Sequence, residues 1–197
     1  MNLPNKLTLL RVILVPFFLL FMYLDACPYN YLIAFVIFVG ASITDALDGK
    51  IARKHNLVTN FGKFLDPLAD KVLVMAALAV FVEFDDVKMG AIPFIIITAR
   101  EFMVSGLRLL AADSGVVVAA GMWGKLKTAF TMVTIIAILL WLSFWKDFEC
   151  FGLDFSETAF NAVDIVSSVL IWISTLLTVI SGCVYLKGYW HLIDSDK

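Results

Sequence analysis

Six apolar runs separated by short polar segments set the main constraint on how this chain of 197 residues can fold. They cover residues 7–24, 31–44, 64–84, 89–112, 122–145 and 161–186. A helix needs about 20 apolar residues to cross a bilayer, so runs of this length favour membrane spans. Hydrophobic residues make up 61% of the chain and charged residues 16%, against about 45–50% and about 25% in soluble domains. We therefore predict an all-α integral membrane protein with six transmembrane helices, forming a single membrane domain over residues 1–197.

Basic residues are distributed unevenly between the two sides of this predicted bundle. Of the 15 Lys and Arg residues, all except Lys88 and Lys146 fall on the side of the termini and the even-numbered loops, or in the adjoining halves of the spans. Lys and Arg accumulate on the cytosolic side of membrane proteins. The distribution therefore predicts that both termini are cytosolic, and it supports an even number of spans.

Four carboxylates lie in the cytosolic halves of the second and third spans, where ionisable groups are costly to bury. They are Asp45, Asp48, Asp66 and Asp70. The first two are three residues apart and the last two are four apart, so each pair lies on one face of its helix. Because the connecting loop is short, we expect the two helices to be antiparallel neighbours whose acidic stretches face each other. This predicts an active site at the cytosolic side.

Carboxylates this close together repel one another strongly unless cations neutralise them. A ligand set of oxygen atoms, without His or Cys, selects hard ions such as Mg²⁺, Mn²⁺ or Ca²⁺, and two-metal sites serve displacement at phosphorus. Gly49, Ala52 and Gly62 are small residues beside these acids, which lets a ligand or a helix approach the backbone closely. The simpler alternative is that the acids are interfacial and are neutralised by nearby lysines, namely Lys50, Lys54, Lys63 and Lys71.

The spacing of these residues resembles the signature of the CDP-alcohol phosphotransferases, D-x-x-D-G-x-x-A-R-x8-G-x-x-x-D-x-x-x-D. All eight fixed positions are present, as Asp45, Asp48, Gly49, Ala52, Arg53, Gly62, Asp66 and Asp70. The resemblance implies a fold of six spans with cytosolic termini over the whole chain. It also implies that the CDP-lipid is bound at Gly49, Ala52, Arg53 and Gly62.

The same resemblance implies two divalent cations, Mg²⁺ or Mn²⁺. One of them would be held by Asp45, Asp48 and Asp66. The other would be held by Asp45, Asp66 and Asp70. Asp70 would in addition act as the general base.

A second group of charges lies on the fourth and fifth spans and consists of Arg100, Arg108, Lys125 and Lys127. An acceptor that carries a phosphate needs a cationic pocket of this kind, and we expect Thr8 and Arg11 to border it. The alternative for the two lysines is that they extend to the lipid headgroups from the ends of their spans. We expect Glu101 to point elsewhere on its helix and to balance a basic neighbour.

Four further stretches, residues 2–11, 61–71, 99–108 and 124–128, look like parts of the bacterial phosphatidylglycerophosphate synthases, a branch of this family. That resemblance implies transfer of the phosphatidyl group from CDP-diacylglycerol to sn-glycerol 3-phosphate, giving phosphatidylglycerophosphate and CMP. It implies a multi-pass homodimer in the cell inner (cytoplasmic) membrane, in contact with membrane lipid and with no nucleic acid. Three alternatives stay open. They are another acceptor (serine, inositol phosphate or phosphatidylglycerol), an intramembrane prenyltransferase, and a divalent-cation carrier, which would place its acids near the bilayer midplane.

Overall fold

The computed structural model describes residues 3–24, 26–55, 60–113, 121–147 and 157–190. Within these ranges it describes the side chains except at residues 3–4, 45–55, 60–67, 70, 112–113 and 157–160. The described residues form six α-helices and no strand. They are α1 (Leu3–Tyr23), α2 (Asn30–His55), α3 (Asn60–Glu83), α4 (Ala91–Asp113), α5 (Met122–Leu142), which continues as a π-helical turn (Ser143–Asp147), and α6 (Glu157–Tyr189). Each apolar run therefore corresponds to one helix, as the sequence predicts, with at most two residues of a run lying outside it.

The helices and the apolar runs differ most around the acidic signature. The second run stops at Thr44, whereas α2 continues to His55. The third run begins at residue 64, whereas α3 already begins at Asn60. Polar residues interrupt an apolar run without breaking a helix, because the backbone hydrogen bonds are made within the helix whatever surrounds it. Both pairs of aspartates therefore lie on continuous helix, which confirms the helical spacing used in the sequence analysis.

All six helices contribute buried apolar side chains to one core. Helix α1 packs along both α2 and α3, α6 packs along α4 and α5, and α2 packs against α5. Phe18 of α1 and Phe38 of α2 are fully buried, with ring centroids 5.8 Å apart. Among the described residues α2 and α3 have little direct contact. The ring of Tyr31 of α2 lies 6.3 Å from that of Phe84, the residue after α3, edge to face. The side chains in the acidic halves of α2 and α3 are not described, so it stays a prediction that these halves face each other.

Polar contacts join the helices at the end of the bundle where α1 and α3 finish, which we call the acidic end. The Tyr23 hydroxyl donates to Glu83 Oε2 at 2.5 Å, and Lys146 Nζ lies 2.9 Å from Asp86 Oδ2. Lys88 pairs with Asp164 of α6. Both lysines that the sequence analysis assigned to the non-cytosolic side are therefore paired with carboxylates at this end.

The outer surface of the bundle is apolar. Three helical segments among the described residues are long and apolar enough to cross a membrane, namely Asn5–Tyr23, Met122–Asp147 and Asn161–Tyr189, and Asn30–Thr44 is a shorter apolar helix. Helix α6 exposes Ile165, Trp172 and Leu176, each by more than half of its surface. Contiguous apolar surface of this kind suits contact with lipid rather than water. Helix α4 carries Arg100, Glu101 and Arg108 within its length, and these line a cavity between the helices.

Candidate functional site

A cavity of about 570 Å³ opens among the helices, away from the acidic end. Its walls come from α1 to α5, and they include Ser42 of α2 and Ser105 of α4 as well as apolar side chains such as Leu73 and Ile97. Its cationic lining residues are Arg11, Lys71, Arg100, Arg108, Lys125 and Lys127. Five of these six come from the sequence-predicted acceptor pocket, and Lys71 joins them. A cavity with this lining is suited to a small and strongly anionic ligand.

Arg100 is held by hydrogen bonds to two different helices. Its side chain is 9% exposed, and Nη1 donates to Glu101 Oε1 at 2.8 Å. Its Nη2 donates to Ser181 Oγ of α6 at 2.5 Å. Gly182 allows this approach, because a Cβ there would lie 3.3 Å from Arg100 Cγ. The guanidinium group is therefore fixed between α4 and α6.

Glu101 lies in the same cavity wall and accepts hydrogen bonds from two cations. Its Oε1 accepts from Arg100 and also from Lys127 of α5. The expectation that Glu101 points elsewhere on the helix was therefore wrong. The long side chains of Arg100 and Glu101 turn toward each other, although their Cα–Cβ bonds point in different directions around the helix. The expectation that Glu101 balances a basic neighbour is confirmed, and it balances two.

Tyr185 of α6 is a site residue that the sequence analysis did not identify. It is 3% exposed, and its hydroxyl accepts from Arg108 Nη2 at 3.1 Å and from the backbone N–H of Gly121 at 2.9 Å. Its ring centroid lies 5.4 Å from Cζ of Arg100 and 5.7 Å from Cζ of Arg108. The sequence offers one signal for it. Ser181 and Tyr185 are four residues apart and so share a face of α6, but nothing local to the sequence indicates that this face meets α4.

The remaining predicted site residues either lie near the cavity or have side chains that the structure does not describe. Thr8 is 1% exposed on α1, one turn before Arg11, and it is not among the residues that line the cavity. Lys71, which lines the cavity, directly follows Asp70 on α3. The cavity therefore reaches the helical turn that carries the end of the acidic signature. The structure does not describe the side chains of the eight signature positions themselves. They are Asp45, Asp48, Gly49, Ala52, Arg53, Gly62, Asp66 and Asp70.

The oxygen ligands that the signature offers suit a divalent cation. Helix α2 runs through Asp45 and Asp48, and α3 runs through Asp66 and Asp70, so each pair occupies positions on one helical face. Carboxylates alone, without His or Cys, are the donors that Mg²⁺ and Mn²⁺ prefer. Among the side chains that the structure describes, no group of three or more His, Cys, Asp or Glu residues could hold a metal ion. The assignment of metals to these aspartates therefore rests on the signature.

A family model described as CDP-alcohol phosphatidyltransferase matches residues 1–180. The chain belongs to this family. Membership confirms the resemblance drawn from the signature, and it identifies the chain, with its apolar helices, as a membrane protein. Tyr185 lies just beyond the matched residues.

Members of this family from several bacteria are similar to the chain over nearly its whole length. A protein of Bacillus subtilis (strain 168) is 41% identical over 207 residues, which cover 100% of this chain and 99% of that protein. A protein of Rickettsia bellii is 39% identical over 95% of this chain and 94% of its own. A protein of Haemophilus influenzae is 37% identical over 94% of this chain and 92% of its own. All three are named CDP-diacylglycerol--glycerol-3-phosphate 3-phosphatidyltransferase.

Proposed function

We propose that this membrane protein transfers the phosphatidyl group of CDP-diacylglycerol to sn-glycerol 3-phosphate, giving phosphatidylglycerophosphate and CMP. The names of its full-length relatives support this reaction. The observation that carries the proposal is the cationic cavity, because it reaches Lys71, the residue directly after Asp70. An anionic acceptor held in this cavity would lie beside the signature that is expected to hold the donor.

The lining of the cavity favours a phosphorylated acceptor. Arg groups pair with phosphate oxygens through two parallel hydrogen bonds, and Lys adds a compact positive charge. Six cations against the single carboxylate of Glu101 among the described lining residues leave a strong excess of positive charge. Serine carries no phosphate and would bring little negative charge to this lining. Inositol phosphate would use the same charges, so it is the alternative acceptor that the experiment has to separate.

In this proposal the acidic signature binds two divalent cations. Asp45, Asp48 and Asp66 would hold one, and Asp45, Asp66 and Asp70 the other. When bound, the cations neutralise the pyrophosphate and stabilise negative charge that develops at phosphorus. The four carboxylates supply oxygen ligands only, which favours Mg²⁺ or Mn²⁺ over Zn²⁺.

The chain's own residues bind the substrates and move the proton. Gly49, Ala52 and Gly62 would let the CDP group approach the helix backbones closely, and Arg53 would pair with one of its phosphates. Asp70 would take the proton from the primary hydroxyl of the acceptor, as a positioned general base. The acceptor oxygen then forms a bond to the phosphorus that bears diacylglycerol. The bond from that phosphorus to the bridging oxygen breaks, and CMP leaves with the electron pair.

We further propose the arrangement in the membrane. All six helices would span the cell inner membrane as a single domain, with both termini and the cavity on the cytosolic side, as the distribution of Lys and Arg favours. A donor that is a lipid and an acceptor that is soluble can meet only at a membrane surface. By resemblance to the family, the protein would act as a homodimer.

The test is release of CMP from CDP-diacylglycerol by the purified protein in detergent or vesicles. It is run with sn-glycerol 3-phosphate, inositol phosphate, serine, phosphatidylglycerol, free glycerol and no acceptor, each with and without Mg²⁺. We expect fast, Mg²⁺-dependent release with sn-glycerol 3-phosphate and a lipid product that carries two phosphates, one from the donor and one from the acceptor. Faster release with inositol phosphate or serine would contradict the acceptor. No release with any acceptor would contradict the reaction, leaving a prenyltransferase or a cation carrier to be considered.

A further inference from the structure

We propose that Tyr185 is a positioning residue that sets the arginines of the acceptor pocket, a role that rests on the proposed function. Nothing in the signature or in the stretches that resemble the family includes this residue. It lies near the end of α6, whereas the cations lie on other helices. Its part in the reaction would be to hold Arg108 and, through the ring, Arg100 in the orientation that receives a phosphate.

The ring of Tyr185 contacts two guanidinium groups. Their Cζ atoms lie 5.4 Å and 5.7 Å from its centroid, within the range of cation–π attraction. Two like charges that share one cavity repel each other, and the negative face of the ring offsets part of that repulsion. Arg100 has further partners in Glu101 and Ser181, so it is held from several sides. Arg108, by contrast, is held among the described side chains by Tyr185, through a hydrogen bond and a ring contact.

The hydroxyl of Tyr185 joins three helices at one oxygen atom. It accepts from Arg108 of α4 at 3.1 Å and from the N–H of Gly121 at 2.9 Å, at the residue before α5 begins. Two donors use both lone pairs of a phenol oxygen. Helix α5 carries Lys125 and Lys127 in its first two turns. The same oxygen therefore fixes an arginine of α4 relative to the lysines of α5.

The backbone of α5 lies close to Tyr185 at Gly124. A Cβ on Gly124 would lie 3.2 Å from both Cε2 and Oη of Tyr185, which is closer than most side-chain contacts. Gly124 itself lines the cavity. Tyr185 thus lies behind the cavity wall with its position fixed by packing, by hydrogen bonds and by the two cations. A residue so placed can control the direction of the arginines without contacting the acceptor.

The test is a two-substrate kinetic grid on Tyr185→Phe, with Tyr189→Phe as the matched control. Tyr189 stacks on Tyr185 with centroids 6.2 Å apart, and its hydroxyl has no hydrogen bond to any side chain or backbone group that the structure describes. Tyr185→Phe removes both hydrogen bonds that the hydroxyl accepts. Loss of the one from Arg108, about 0.5–1.5 kcal/mol, corresponds to about a two- to tenfold rise in the acceptor KM. We expect that rise in Tyr185→Phe, with the CDP-diacylglycerol KM unchanged. Tyr189→Phe should leave both KM values unchanged.

A double-mutant cycle with Arg108→Ala tests whether Tyr185 affects acceptor binding through Arg108. If Tyr185 acts through Arg108, then Tyr185→Phe should change the acceptor KM little once Arg108 is already alanine. An equal rise in both backgrounds would overturn the proposal, and so would a fall in thermal stability with both KM values unchanged. A rise in the donor KM alone would overturn it as well.

Failure of this inference is distinguishable from failure of the proposed function. The parent protein is measured first with the acceptor panel. If it releases no CMP with any acceptor, the proposed function is wrong, and the inference about Tyr185 falls with it. If it does release CMP, the grid is run with its best phosphorylated acceptor. An unchanged acceptor KM in Tyr185→Phe then refutes the positioning role while the reaction itself stands.

Discussion

At the scale of single residues, the cations of the cavity differ in how firmly they are held. Arg100 is 9% exposed and donates to Glu101 and Ser181, whereas Lys125 is exposed at the cavity wall. A buried cation keeps its full charge only when acceptors surround it, and Glu101 supplies that acceptor to both Arg100 and Lys127. The cavity is therefore a network of paired charges with a net positive excess.

Replacing Arg100 by alanine should weaken acceptor binding more than replacing Lys125 does. The change removes a charge-assisted contact of about 1.5–3 kcal/mol, or about ten- to a hundredfold in the acceptor KM. It also leaves Glu101 paired with Lys127 alone, so that its carboxylate repels a phosphate more strongly. The measurement is the KM for each substrate in Arg100→Ala and Lys125→Ala. A rise confined to the donor KM in Arg100→Ala would assign the basic group to the CDP-lipid instead.

Asp45→Asn and Asp66→Asn should each abolish turnover, because each residue is expected to serve both cations. Asn has nearly the same shape and is less costly to bury, so expression and membrane insertion should be retained. Asp70→Asn should be equally inactive but should still bind CDP-diacylglycerol, since its expected main role is that of the base. Turnover and equilibrium donor binding are measured on each purified variant. Near-normal turnover in Asp66→Asn would contradict the two-cation assignment.

At the scale of helices, one end of α2 is capped from a distant part of the chain. Asp147, at the end of the π-helical turn after α5, accepts from the N–H of Leu32 at 2.7 Å and from that of Tyr31 at 3.4 Å. The first N–H groups of a helix have no partner within the helix, and a carboxylate there also meets the positive end of the helix dipole. Asp147 is 3% exposed, so water competes little for these contacts.

Removal of this cap should destabilise the bundle at its acidic end. Loss of a capping carboxylate costs about 0.5–2 kcal/mol, so Asp147→Ala should lower the melting temperature in detergent. Asp86→Ala is the matched control, because its ion pair with Lys146 is about one third exposed and such pairs contribute about 0–1 kcal/mol. Turnover at low temperature should be unchanged in both variants, since both residues lie at the end away from the cavity. Equal melting temperatures for the two variants would argue against the capping role.

At the scale of the whole molecule, the cavity exists only because five helices meet. Its lining residues come from α1 through α5, and α6 contributes the partners behind the wall. Helix α3 brings Lys71, and with it the turn that carries Asp70, to the same space as the arginines of α4. We therefore expect the acidic signature and the cationic cavity to belong to one candidate active site.

Because the whole reaction is expected to depend on cations at the signature, chelation should stop it. Activity should vanish with EDTA and return on addition of Mg²⁺ or Mn²⁺. Zn²⁺ should restore it poorly, because the signature offers no His or Cys ligand. CMP release is measured during titration with each ion, and the melting temperature is followed in parallel to exclude unfolding. Full activity after exhaustive chelation would refute the metal sites.

Much of the fold follows from local properties of the sequence. A run of apolar residues and a helical repeat are features of neighbouring residues, so the six helices were predicted correctly, with α2 continuing further than its apolar run. The eight-position signature is likewise local, and the family it indicated is confirmed. The clustering of Arg100 with Lys127 could be anticipated, because a cation deep in a span needs a polar interior.

Contacts between distant parts of the chain were decided by the tertiary structure. Ser181 and Arg100 are separated by 81 positions, and Tyr185 and Arg108 by 77, so no local repeat relates them. Glu101 belongs to the cavity because α5 brings Lys127 to it, which the sequence of α4 does not reveal. The sequence determines which residues form helices and which helix faces are polar. Which polar faces meet depends on how six helices pack together, and that packing is a property of the whole chain.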